Sequence, residues 1–277
     1  MITFSAHFLI LVLLLVASII DIKTREVPDL LSRSLFALGT IYVILQSVWW
    51  ANTDFFIGSL ISLVVAWLLS MALFLTGQWG GGDVKMLLGI SLFMPVPLHE
   101  GFFVLPDIAL FLFLTMLAGS VFGLLWMAYL VRYNWKDFKD NFQKFSKARY
   151  SRFALGGLIF FGLSLLLASP FLDFNISLIF LLLLVGFTSL YYVMIFTKAA
   201  ELAVSIKKVP VKKVVEGDWI VNKEGYDASE HYGVSNTGIT SKEIKMLVSK
   251  GIKNVYVKDG VPFLPSFFLG YLIFILI

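Results

Sequence analysis

The chain contains no cysteine and only three histidines, His7, His99 and His231, in 277 residues. Disulfides, thiol nucleophiles and cysteine-held zinc are thereby excluded. The histidines lie far apart. His99-Glu100 opens like a zinc-protease motif, but Gly101-Phe102-Phe103 follows, with no second histidine four places on. The reading therefore includes no metal and no cofactor. Charge is scarce as well: Asp, Glu, Lys and Arg make up 14% of the chain, against about 25% in a soluble domain. The net charge of +4 does not indicate a nucleic-acid partner, because the basic residues fall between apolar blocks, where they orient a protein in the bilayer.

What is present in excess is apolar, 59% of the residues, gathered in blocks long enough to cross a bilayer, which takes about 20 residues per helix. Eight blocks can be drawn: 2–20, 30–50, 55–76, 84–96, 102–131, 153–168, 176–197 and 262–277. The fold class expected is an α-helical polytopic membrane protein with six to eight spanning helices and a small α+β cytoplasmic domain before the last helix. The corresponding division is a membrane-embedded core at 1–197, a soluble unit at 198–261 and a C-terminal transmembrane helix at 262–277. The first block is not expected to be a cleaved signal peptide, since it lacks a basic n-region and an Ala-x-Ala end. The fourth block is too short to span ~30 Å of hydrocarbon as a helix of ~20 Å. Its start, at Asp83, is therefore expected below the membrane surface, or else the block packs beneath a longer neighbour.

If the eight blocks alternate and the loop at Asp21 is placed inside, all 22 Lys and Arg fall on the inner side, as the positive-inside rule requires. Both termini are then outside, and Asp21 and Asp83 share the cytoplasmic face. The basic stretch from Arg132 to Arg152 reads as a loop on anionic lipid, or as a substrate-docking loop. In the soluble unit, 209–215 and Trp219-Ile220-Val221 read as strands. Thr240-Ser241-Lys242-Glu243 fits a capping box opening a helix that Gly251 stops, and 252–258 reads as a further strand.

Two acids stand out. Asp21 ends the first apolar block, and Asp83 follows Gly80-Gly81-Gly82 between two others. A carboxylate at membrane depth is costly unless paired or hydrated. Two carboxylates and a water can hydrolyse a peptide bond: one takes a proton from the water while the other, protonated, polarises the carbonyl and then feeds the leaving amine. Closeness suits the pair to both roles, because two adjacent carboxylates do not ionise together easily. Three consecutive glycines allow a tight turn and bring backbone against an extended substrate; they are equally consistent with a flexible loop or close helix packing. Asp21 can also simply end its helix, and Asp29 suits the first turn of the next. Lys85 either tunes Asp83 or steers substrate, or snorkels to the headgroups.

Asp21-Ile22-Lys23-Thr24-Arg25-Glu26-Val27-Pro28-Asp29 resembles the segment after the first helix of type IV prepilin peptidases. Gly80-Gly81-Gly82-Asp83-Val84-Lys85 resembles their Gly-x-Gly-Asp-x-Lys signature, and Pro262-Phe263-Leu264-Pro265 their Pro-Phe-rich final helix. The soluble insert is similar to that of the archaeal branch, the preflagellin and prepilin peptidases. The resemblance implies that Asp21 and Asp83 are the catalytic pair, supported by Gly80, Gly81, Gly82 and Lys85. It implies as substrates, and so as partners beside the lipid bilayer, archaellin or type IV prepilin precursors whose short basic leader is cut at the cytoplasmic face. The cysteine-bearing zinc domain of the bacterial enzymes has no counterpart here, so methylation of the new amine is not expected. Two other readings stay open on residues alone: a transporter or ion pathway with functional buried aspartates, and a membrane anchor presenting the soluble unit.

Overall fold

A computed structural model describes residues 4–49, 51, 53–98, 106–223, 225–235 and 238–277. His99-Glu100, the first residues of the first and fifth apolar blocks, and Trp50 and Asn52 lie outside the described residues. In chain order the helices are α1 (Phe4–Thr24), α2 (Asp29–Trp49), α3 (Thr53–Leu75), α4 (Gly81–Ser91), α5 (Asp107–Val131), α6 (Trp135–Ser146), α7 (Arg149–Ala168) and α8 (Phe174–Ala200). Three strands, β1 (Ile206–Pro210), β2 (Trp219–Val221) and β3 (Asn254–Lys258), interleave with α9 (Ser229–Tyr232) and α10 (Ser241–Ser249), and α11 (Leu264–Leu276) closes the chain. The helices α1, α2, α3, α5, α7 and α8 are long and apolar enough to cross a membrane; α11 is apolar but shorter. The protein is a multi-pass, mainly helical membrane protein with a small three-stranded sheet before its last helix.

The chain forms two compact units, residues 1–125 with 260–277, and residues 126–259. The first is a helical bundle whose core includes Ile10 and Leu14 of α1, Leu35 of α2, Met86 and Ile90 of α4, and Phe267 of α11. Here α1 runs on past the apolar block, through Asp21 to Thr24. Helix continuation needs backbone bonds rather than apolar side chains, and the Thr24 hydroxyl adds a side-chain bond to the Ile20 carbonyl. The helix ends at Arg25, whose φ of 61° is left-handed and whose N–H donates to the Asp21 carbonyl at 2.9 Å, the αL stop usually given to glycine.

The short fourth helix is wedged between α2 and α3, and glycines make the room. A Cβ on Gly39 of α2 would lie 2.9 Å from Leu92 Cβ, and one on Gly89 of α4 would lie 2.9 Å from Leu35 Cγ. Beyond α4, residues 92–96 continue along α3. The Ser62 hydroxyl donates to the Met94 carbonyl at 2.6 Å, and Val96 N–H donates to the Gly58 carbonyl at 3.1 Å. Gly58 and Leu75 of α3 are about 25 Å apart along the helix at 1.5 Å per residue. The helix plus its non-helical tail therefore covers most of a span, and the brevity of α4 does not by itself place Asp83 below the surface.

In the second unit, the stretch Arg132–Arg152, expected as a loop, contains the helix α6. Its signal was present in Phe138, Phe142 and Phe145, spaced four and three apart on one helical face, which pack against Phe196, Ala199 and Ala200 at the end of α8. Between α7 and α8 the buried Ser151 and Tyr191 hydroxyls share a hydrogen bond of 2.8 Å. The chain leaves α8 through one π-helical turn, Glu201–Ser205, directly into β1. The sheet order is β1-β3-β2, antiparallel throughout, with Ile206 opposite Lys258 and Trp219 opposite the other side of Lys258. The strand expected at 209–215 ends instead at Pro210, which has no N–H to carry the ladder on, and a 3-10 turn follows at Val211–Lys213. The strand expected from Ile252 begins at Asn254, because Ile252 N–H still closes α10 on the Leu247 carbonyl. The core here is Val211, Val214, Ile220, Leu247, Val255 and Val257, and Thr240 and Glu243 form the expected capping box.

Candidate active site

Within the first unit, the end of α1 and the starts of α2, α4 and α11 converge. Asp21 sits in the last turn of α1 and is 6% exposed. Its Oδ2 accepts the N–H of Leu264, the first residue of α11, at 3.0 Å, and the Phe263 N–H is a second backbone donor to it. Asp83 is the third residue of α4 and reaches back over its own helix start, where Oδ2 accepts the Gly80 N–H at 2.9 Å. Both acids are thus held by the free amides of a helix N-terminus, the end of a helix that favours negative charge. They are near enough for the Asp21 carboxylate to act electrostatically on Asp83.

Two contacts fix these pieces together. Trp79, 3% exposed, packs its indole 5.3 Å from the Phe263 ring and 5.5 Å from the Phe267 ring, centroid to centroid, which ties the loop before α4 to the start of α11. The Arg25 guanidinium donates to the Gly260 carbonyl at 2.7 Å, tying the end of α1 to the segment that leads into α11.

The three glycines are not equivalent, and none has positive φ; the left-handed turn that ends α3 is made at Gly77, with φ of 70°. Gly80 is the extended residue capping α4, while Gly81 and Gly82 are already helical. Of the three readings open to the run, the helical placement of Gly81 and Gly82 accords with close packing. A Cβ on Gly81 would meet nothing within 4 Å, and one on Gly80 would make ordinary contact, 3.5 Å from Asp83 Oδ2. On Gly82 it would lie 2.6 Å from Val27 Cγ2 and 2.7 Å from Val27 Cβ. Gly82 is the position where close approach, here to the segment joining α1 and α2, demands glycine.

Lys85 is paired with an acid on α2. Its Nζ lies 2.6 Å from Asp29 Oδ1, and Arg33 holds Asp29 Oδ2 at 2.9 Å. The sequence gives no local sign of that pairing, because Lys85 and Asp29 are 56 positions apart. Nor does it mark Leu264 and Phe263 as partners of Asp21, because the groups involved are backbone amides. The one available hint is Pro265 in the first turn of α11, where proline suits a helix start.

The profile of the type IV leader peptidase family matches residues 8–127. Over 82 residues the chain is 33% identical to a preflagellin peptidase of Methanococcus maripaludis, a stretch covering 30% of this chain and 35% of that protein. Over 89 residues it is 35% identical to a preflagellin peptidase of Methanocaldococcus jannaschii, covering 31% of this chain and 38% of that one. The chain spans little more than a third of the length of either relative. The matched segment contains α2, α3 and α4 whole, most of α1 and α5, and both acids. Residues 8–127 of this protein, with Asp21 and Asp83 among them, are thus similar to the type IV leader peptidase family.

Proposed function

We propose that the protein is a membrane-embedded aspartyl endopeptidase that removes the short basic leader from archaellin or type IV prepilin precursors, with Asp21 and Asp83 as its catalytic pair. The observation that carries the reading is that two acids 62 positions apart in sequence are brought within reach of each other's charge, each oriented by a helix-start amide. The family of the surrounding segment points the same way.

In the proposed reaction one carboxylate accepts a proton from a water held between the pair, and the water oxygen attacks the scissile carbonyl. The other carboxyl donates a hydrogen bond to that carbonyl oxygen. The tetrahedral intermediate then collapses, the C–N bond breaks, and a proton from the pair goes to the departing amine. The leader leaves with a new carboxylate and the mature protein keeps its apolar helix. The charge distribution supports an active site facing the cytoplasm, with both termini outside.

The test is cleavage of a purified precursor by the full-length protein in detergent. Asp21→Asn and Asp83→Asn each remove a carboxylate while keeping its shape, and each is expected to abolish processing while the unfolding transition stays close to that of the unmodified protein. Processing at the original rate by either variant refutes the assignment. Proton or cation flux into liposomes that depends on Asp83 in the absence of any cleavage establishes the ion-pathway alternative instead.

A further inference from the structure

The surface around α6 is built for a ligand that the peptidase reading does not use. This helix joins the ends of two membrane-length helices, separated from α5 by residues 132–134 and from α7 by residues 147–148, so it lies at the level where both spans meet the bilayer surface. Its phenylalanine face is occupied: Phe138 is buried, with its ring 5.5 Å from that of Phe196 on α8. The opposite side is polar, and Lys136, Lys139 and Lys144 are all exposed there. The flanking turns add Arg132, Lys147, Arg149 and Arg152, all exposed, against two acids, Asp137 and Asp140. Among the described residues none of these seven cations makes an ion pair.

A second, independent observation sets the depth. Tyr133 and Trp135 are exposed at the ends of the spans, as amphipathic rings are at the headgroup level. Arg132 is laid over the Tyr129 and Tyr133 rings at 5.2 and 4.8 Å and donates to the Tyr133 hydroxyl at 2.6 Å. Stacking fixes the guanidinium plane and leaves its remaining donors to meet an oxyanion, the geometry in which arginine binds phosphate best.

We propose that α6 and its flanking turns form a binding surface for the anionic phospholipid headgroups of the membrane in which the protein is embedded. The apolar face of α6 is satisfied by α8, so the helix is no loose amphipathic anchor. It is a rigid cationic strip held at headgroup level, selecting the lipids that border α5 and α7. The surface belongs wholly to the second unit and is independent of Asp21 and Asp83.

The full-length protein is reconstituted into vesicles of equal phosphatidylcholine and phosphatidylglycerol, extracted gently, and the retained lipid quantified by mass spectrometry. The unmodified protein is expected to retain phosphatidylglycerol in severalfold excess, and high salt is expected to erase the excess. Each lysine removed from the strip is expected to reduce the preference by a further step. The combined Lys136→Gln, Lys139→Gln, Lys144→Gln variant is thus expected to retain the two lipids nearly equally. A variant with the same change in net charge elsewhere, Lys212→Gln, Lys213→Gln, Lys250→Gln, is expected to behave as the unmodified protein does. Undiminished enrichment in the α6 variant overturns the proposal, as does an equal loss in the control variant or an excess in the unmodified protein that salt does not touch. Unchanged lipid retention together with a raised KM for a precursor in pure phosphatidylcholine assigns the strip to a protein partner and equally overturns it.

Discussion

Alanine placed at Gly82 is expected to separate close packing from flexibility as the reason for glycine before Asp83. A Cβ at this position would sit 2.6 Å from Val27 Cγ2 and 2.7 Å from Val27 Cβ, whereas ordinary contact begins near 3.4 Å. Either the first turn of α4 or the segment joining α1 to α2 must move by close to 1 Å, and such overpacking costs about 1–3 kcal/mol. Alanine at Gly81 meets nothing within 4 Å and adds only the helix preference of alanine over glycine, about 0.5–1 kcal/mol in its favour. That gain is common to both variants, so the difference between Gly82→Ala and Gly81→Ala isolates the clash at about 1–3 kcal/mol.

The assay is the free energy of unfolding in mixed micelles, followed by tryptophan fluorescence, for both variants, for Val27→Gly, and for Gly82→Ala combined with Val27→Gly. Removing the Val27 side chain deletes both clashing atoms, so the double-mutant cycle is expected to return most of the cost as coupling. Activity is expected to fall further than stability. The same displacement moves Asp83 relative to Asp21, and an error of about 1 Å in a reacting group costs on the order of 100-fold. Equal stability of the Gly81 and Gly82 variants, or a Gly82 cost indifferent to Val27, refutes the packing argument and returns the glycines to a role in flexibility.

Lys85→Met and Asp29→Asn are each expected to change stability by less than about 1 kcal/mol, because the ion pair is half exposed on both sides; a larger loss in either unfolding curve shows that the Asp29 cluster holds α2 to α4. Thr240→Ala is expected to weaken α10 by about 1 kcal/mol, read as faster hydrogen exchange of its amides. Hydrogen bonds from the Thr240 hydroxyl and N–H and from the Ser235 N–H hold the Glu243 carboxyl below the ordinary glutamate value of 4.5. Its contribution is therefore complete above that pH and lost as the pH falls below it. The protection of the α10 amides, corrected for the intrinsic slowing of exchange at low pH, should fall on acidification in the unmodified protein and much less so in Glu243→Gln.

The parts of this fold that were legible in the sequence are those fixed by neighbours along the chain. Apolar blocks mark α2, α3 and α8 to within a few residues, and the capping box at Thr240 and the stop at Gly251 stand as read. The misreadings came from treating polarity as absence of structure. The apolar run stops at Ile20 while α1 goes on to Thr24, and the basic stretch expected as a loop carries, in its phenylalanine spacing, the helix α6. What could not be read at all depends on tertiary approach. Nothing local says that Val27 will lie against Gly82 and leave Gly81 open, or that the partner of Lys85 will be Asp29.

The pairing of Lys85 with Asp29 also bears on how the proposed site would receive its substrate. A carboxylate in an apolar bundle needs compensation, and the common remedy, a neighbouring cation, would repel a positively charged leader. Here the compensation to both acids includes helix-start amides: Gly80 N–H for Asp83, and Leu264 N–H with Phe263 N–H for Asp21, to which the Arg25 charge is added. Those donors supply partial positive charge in fixed positions with no mobile side chain. The lysine two residues from Asp83 is drawn off by an acid of its own. A basic leader approaching the proposed pair thus meets Lys85 already matched by Asp29. That makes α11, which contributes no carboxylate, as necessary to the arrangement as the two helices that do.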